Sequence, residues 1–140
     1  MNVAVRYFTR AGNTKKLAEA VGAAAGVPAL PVSEALREPA DLLFLGGALY
    51  GFDIDAPLKD FIRGLTPETA RKAAVFSTTA IVPSAYPQIK KLLDAQGIPV
   101  AAQNFHSFGK FGPLHGSRPD ANDCEKAGAF AREVLAACGE

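Results

Sequence analysis

Short, continuous apolar runs alternate along the chain with segments in which apolar residues recur at helical spacing. The first run predicts a strand over residues 2–8. The segment after it puts Leu17, Val21 and Ala24 on one face and predicts a helix over 13–25 that stops at Gly26. A weaker strand is expected over 29–32, where Pro28 and Pro31 favour a sheet edge. Asp-Leu-Leu-Phe-Leu-Gly-Gly at 41–47 has the pattern of a parallel strand buried on both faces. Leu58, Phe61, Ile62 and Leu65 follow the i, i+3, i+4, i+7 rule and predict a helix over 56–64. A fourth strand follows over 72–77, then a helix over 84–96 that buries Tyr86, Ile89 and Leu93 and ends at Gly97. A fifth strand is expected over 99–105. A final helix over 120–137 has Asp120 as N-cap and Ala127, Ala131, Val134 and Cys138 on one face.

Strands that alternate with helices, with no hairpin signal between them, predict an α/β protein with an open parallel sheet. Right-handed crossovers and a weak second strand at the edge favour the order 2-1-3-4-5. With 140 residues, no internal repeat and no linker, the chain reads as a single domain over 1–140. The irregular stretch over 105–119 is long for a compact domain unless it is functional or mobile. Ligands of such sheets bind at the carboxyl ends of the strands where the order reverses, here between the loops after the first and third strands.

The first of these loops carries the clearest chemistry. Thr9, Arg10, Ala11, Gly12, Asn13 and Thr14 form a polar turn running directly into a helix. Such a turn gathers unpaired N–H groups at the positive end of the helix dipole, which suits an anion. Thr9 and Thr14 add hydroxyls, Asn13 adds an amide, and Gly12 lets the backbone approach closely. The spacing excludes a Walker loop, which needs a second glycine and a lysine, and the three-glycine dinucleotide fingerprint. An ordinary helix capped by Thr9 or Asn13 is the alternative. Arg10 either pairs with the anion or points to solvent. The second loop, Gly46, Gly47, Ala48, Leu49, Tyr50, Gly51, offers glycines for close approach and the flat ring of Tyr50, which alternatively just fills the crevice. The third begins at Ser77, Thr78 and Thr79.

The turn at 9–14 resembles the flavodoxin phosphate loop, with Ala11 standing where that family has Ser or Thr, a loss of one hydrogen bond worth about 1 to 3 kcal/mol. Tyr50-Gly51 is similar to the family's pair of a stacking aromatic and a glycine whose carbonyl meets the flavin ring. Thr78 and Thr79 match the positions that line the ring's polar edge. Gly109-Lys110-Phe111 and Pro119-Asp120-Ala121-Asn122-Asp123 resemble the ending of small bacterial flavodoxin-like proteins. The resemblance implies a flavodoxin-like three-layer sandwich holding FMN non-covalently. Thr9, Arg10, Ala11, Gly12, Asn13 and Thr14 would surround its phosphate. Ala48, Leu49, Tyr50 and Gly51 would flank the ring, with Thr78 and Thr79 at the edge. A stacked tyrosine is expected to penalise the electron-rich reduced flavin and lower its potential. The implied function is one- or two-electron transfer between redox partner proteins, with no catalytic residue and no metal. The alternatives are an FMN-dependent NAD(P)H:quinone-type reductase, with 105–119 as substrate lid, and a flavodoxin-like binding domain that has lost the flavin.

Composition narrows the partners. Fifteen basic and fourteen acidic side chains leave a net charge of +1, which forces neither a nucleic-acid footprint nor the acidic docking surface of ordinary flavodoxins. Asp53, Asp55 and Asp60 are left as a local acidic rim, diluted by Lys59 and Arg63. No apolar run approaches the roughly 20 residues of a membrane span, and Arg6 so near Met1 argues against a secretory signal. Cys124 and Cys138 fall in one helix, roughly 21 Å apart at about 1.5 Å per residue, beyond disulfide reach. Reduced thiols agree with a cytoplasmic address. His106 and His115 have no metal-ligand spacing with the cysteines; a histidine near a flavin can donate protons, although a solvated loop residue is the plainer reading. A monomer or weak dimer is expected, with no nucleic acid and no membrane.

Overall fold

Apolar side chains on both faces of consecutive strands force helices onto both sides of the sheet, and the computed structural model has that arrangement. It describes residues 1–10, 12–50, 53–79, 85–108 and 119–138, with the backbone alone for Leu49, Tyr50, Asp53 and Phe108. The elements are β1 (Val3–Tyr7), α1 (Asn13–Ala25), β2 (Ala29–Pro31), β3 (Leu42–Tyr50), β4 (Asp53–Ile54), α2 (Ala56–Arg63), β5 (Ala73–Thr79), α3 (Tyr86–Ala95), β6 (Val100–Phe108) and α4 (Ala121–Cys138). The sheet runs β2-β1-β3-β5-β6, parallel throughout, which is the expected 2-1-3-4-5 order.

Two expectations are corrected. A sixth, two-residue strand exists: β4 pairs antiparallel with the end of β3, Leu49 opposite Ile54 and Tyr50 opposite Asp53. Its connection at 51–52 lacks the Asn-Gly or Asp-Gly signal that marks tight hairpins. The sixth strand in sequence, β6, also runs on to Phe108, so residues 105–108 are strand rather than the start of an irregular stretch. The remainder of that stretch, 109–118, lies outside the described residues.

Period-two alternation sorts the core into two layers. Leu43, Leu45 and Val75 face one side, with Leu58 and Ile62 of α2 and Ile89 and Leu93 of α3. Val5, Phe44 and Phe76 face the other, with Leu17 and Val21 of α1 and Ala127, Ala131 and Val134 of α4. Phe130 of α4 meets Phe44 edge-on at 5.9 Å and stacks on Phe105 at 6.1 Å. Asp120 and Asp123 each accept the other's backbone N–H at 2.9 Å, a reciprocal cap that starts α4 as the N-cap reading expects.

The crossover from β2 to β3 contains no helix in residues 32–41. In its place the guanidinium of Arg6, a residue only 5% exposed, donates to the carbonyls of Glu34 (2.7 Å), Ala35 (3.1 Å) and Val5 (3.0 Å). A charged side chain in the middle of a strand is thereby satisfied, and it pins the crossover to β1. Burial pushes its pKa down, Glu34 opposes that, and Arg37 adds to it.

Candidate functional site

The switch point of the strand order falls between β1 and β3, and the turn after β1 occupies it. Gly12 has φ 87° and ψ 0°, a left-handed conformation that glycine takes at no steric cost, and a Cβ there would meet nothing within 4 Å. Thr9 Oγ1 accepts the Gly12 N–H at 2.9 Å, tightening the turn, and the Lys16 N–H reaches the Gly12 carbonyl at 3.3 Å as the helix begins. The cap residue of α1 is therefore Gly12, which supplies no side-chain bond, rather than Thr9 or Asn13. The first turn holds no acidic residue and two exposed lysines, Lys15 and Lys16. Cations at the positive end of a helix are unfavourable by about 0.3–1 kcal/mol each, a cost that a bound anion would reverse.

Asn13 and Thr14 are buried, at 4% and 0% exposure. Thr14 Oγ1 lies 2.9 Å from Thr78 Oγ1, although the two are 64 positions apart. The hydroxyl at the start of α1 thus meets the carboxyl end of β5 across the end of β3, where Ala48 stands opposite Thr78. The start of α1 and the carboxyl end of β5 are therefore in direct contact. Thr79, next along β5 and on the opposite face, is fully buried, and its Oγ1 has no hydrogen-bond partner among the described residues. A buried hydroxyl left without a partner costs about 1–3 kcal/mol.

Other expectations land differently. Ala48, Leu49 and Tyr50 belong to β3 rather than to a loop; the side chains of Leu49 and Tyr50, and the whole of Ala11 and Gly51, lie outside the described residues. Gly46 and Gly47 have a packing role in β3. A Cβ on Gly46 would stand 2.2 Å from Phe76 Cε2, and one on Gly47 2.3 Å from Leu58 Cδ2. Tyr86 is core: it packs beside the Ile89 layer and donates its hydroxyl to the Ala101 carbonyl at 3.3 Å. His106 is exposed on β6, and His115 lies outside the described residues. Among the described residues no three His, Cys, Asp or Glu side chains gather as a metal site.

Sequence reasoning missed the partner of Arg10. Its guanidinium neither stands free nor points at the turn's N–H groups: Nε donates to Asp55 Oδ2 at 2.7 Å and a second nitrogen to Oδ1. Asp55 precedes α2, where an aspartate reads as a plain N-cap, so the sequence carried no signal for this pairing.

These residues suit a phosphate group at the turn. The first turn of α1 carries Lys15 and Lys16 and no acidic residue, Gly12 leaves room beside it, and Thr79 Oγ1 has no hydrogen-bond partner among the described residues. The protein is thus an α/β sandwich with a polar turn at its switch point. No family model and no curated protein matches the chain. Solved structures do: a flavodoxin from the domain Archaea superposes at TM-score 0.81 with 17% identity over 100% of both chains. Oxidised flavodoxin 2 from Bacillus cereus gives 0.73 with 16% identity over 98% of this chain and 99% of its own. Rubredoxin oxygen:oxidoreductase from Desulfovibrio gigas gives 0.77 with 14% identity over 99% of this chain but 36% of its own. The chain has the flavodoxin-like fold.

Proposed function

We propose that the protein binds FMN non-covalently and carries one or two electrons between redox partner proteins. The observation that supports this reading is the Thr14–Thr78 hydroxyl contact, which brings the turn after β1 against the carboxyl end of β5. Bound FMN supplies reversible one- and two-electron chemistry. The chain's own residues bind and orient it. The N–H groups at the start of α1 and the hydroxyls of Thr9 and Thr14 hold the phosphate. The Thr79 hydroxyl finds its partner at the polar edge of the ring, and Tyr50 with Gly51 flanks the ring.

The net charge of +1 leaves partner docking to shape rather than to a long-range field. No helix among the described residues is long and apolar enough to cross a membrane. Titration of apoprotein with FMN, followed by quenching of flavin fluorescence, tests the reading. Saturable binding with riboflavin at least tenfold weaker is expected, whereas protein that stays colourless with excess FMN favours the flavin-free binding domain.

One feature favours a second reading, an FMN-dependent reductase of quinone-type acceptors. A groove of about 700 Å³, lined by Tyr7, Phe8, Phe61 and Pro57, opens beside Thr9. The apo form of an NADH:FMN oxidoreductase also superposes on this chain at TM-score 0.67 with 14% identity. Steady-state oxidation of NAD(P)H with a quinone, without an added reductase, would identify the enzyme.

A further inference from the structure

Arg10 lies inside the turn that the FMN reading assigns to phosphate, yet its fork of donors is bound to Asp55, 45 positions away. The two ends of this pair are not alike. The Asp55 side chain is 13% exposed and that of Arg10 59%. The Asp55 backbone is fixed as well, its carbonyl accepting the N–H groups of Leu58 (3.1 Å) and Lys59 (3.2 Å) at the start of α2. An aspartate in this position ordinarily turns its carboxylate onto its own helix; here it makes no such cap bond and binds the arginine of another loop instead. The carboxylate is therefore the more enclosed end of the pair, and the guanidinium the end exposed to solvent. A guanidinium that fits a carboxylate two-pronged fits a phosphate in the same way.

We infer that Asp55 is a specificity-determining residue of this site: it competes with the ligand's phosphate for Arg10 and so sets how strongly phosphorylated flavin is preferred over unphosphorylated flavin. The inference rests on the FMN reading. With Asp55 present, a phosphate at the turn must draw Arg10 away or share it, and it also meets the carboxylate's charge. Without the carboxylate, Arg10 is released to the phosphate. A flavin lacking phosphate is indifferent to the exchange.

The test is fluorescence titration of FMN and riboflavin against wild type, Asp55→Asn, Arg10→Gln and the double variant at low and high salt. Asp55→Asn is expected to tighten FMN about tenfold while riboflavin stays within about twofold, and the gain should shrink at high salt. Arg10→Gln is expected to weaken FMN several-fold and riboflavin hardly at all, and Asp55→Asn should give at most about a twofold gain in the Arg10→Gln background. If FMN and riboflavin weaken together in Asp55→Asn, the pair is a brace and the inference fails. Unchanged FMN affinity in that variant also overturns it, as does a full gain that persists without Arg10. If Asp55→Asn does not fold, Asp55→Ser, which keeps a capping side chain, makes the same comparison. Wild type that binds neither flavin sinks the FMN reading itself; wild type that binds FMN with a flat Asp55→Asn sinks only the role of Asp55.

Discussion

Thr14 sits where two features meet, since its hydroxyl lies at the end of the turn after β1 and touches Thr78 in a fully buried setting. Thr14→Val keeps the shape and removes the hydroxyl, so Thr78 loses a partner at a cost of about 1–2 kcal/mol in stability. FMN affinity should fall about tenfold while riboflavin changes far less, read by fluorescence quenching; equal losses for the two flavins would count against phosphate at this turn. Gly46 separates packing from ligand approach in the same way. Its added Cβ would strike the ring of Phe76, itself fully buried and unable to swing aside. Gly46→Ala is expected to lower stability by about 1–3 kcal/mol in urea unfolding, with flavin affinity little changed in the folded fraction.

Among elements, the crossover between β2 and β3 is the unusual one. Ten residues pass from 32 to 41 without a helix, and two carbonyl bonds from Arg6, to Glu34 and Ala35, hold them. Arg6→Met keeps the bulk and removes every donor. It should cost about 1–3 kcal/mol by denaturant titration and make residues 33–38 the first site of limited proteolysis. The sequence made most of the other elements legible because their signals were local. Helix α1 begins and ends where expected, bounded by the left-handed Gly12 and Gly26. The apolar runs of β3 and β5 were unmistakable because both faces are buried. What stayed hidden depends on contacts made far along the chain. Gly46 and Gly47 look like the start of a loop, yet β3 runs through them because Phe76 and Leu58 fill the space their missing side chains leave. In the site, the turn ahead of α1 could be read from its spacing, but the Arg10–Asp55 pair could not, since nothing near either residue points to the other.

At the scale of the whole molecule, charge is nearly balanced, at fifteen basic against fourteen acidic side chains. The carrier proposed above cannot rely on steering by its overall field, whose reach in salt is about 8–10 Å. Electron transfer from a reductase should therefore change less than about twofold between 50 and 500 mM salt in stopped-flow traces, where a strongly acidic carrier would slow by far more.

The hydroxyl contact between α1 and β5 has a consequence for how the protein is made. Its two oxygens come from opposite ends of a 64-residue separation, so a nascent chain that has formed only β1, α1 and β3 owns the turn but not the wall facing it. On the proposed function, capture of FMN then belongs to the finished sandwich alone, and cofactor loading becomes the last event of biogenesis rather than a template for it.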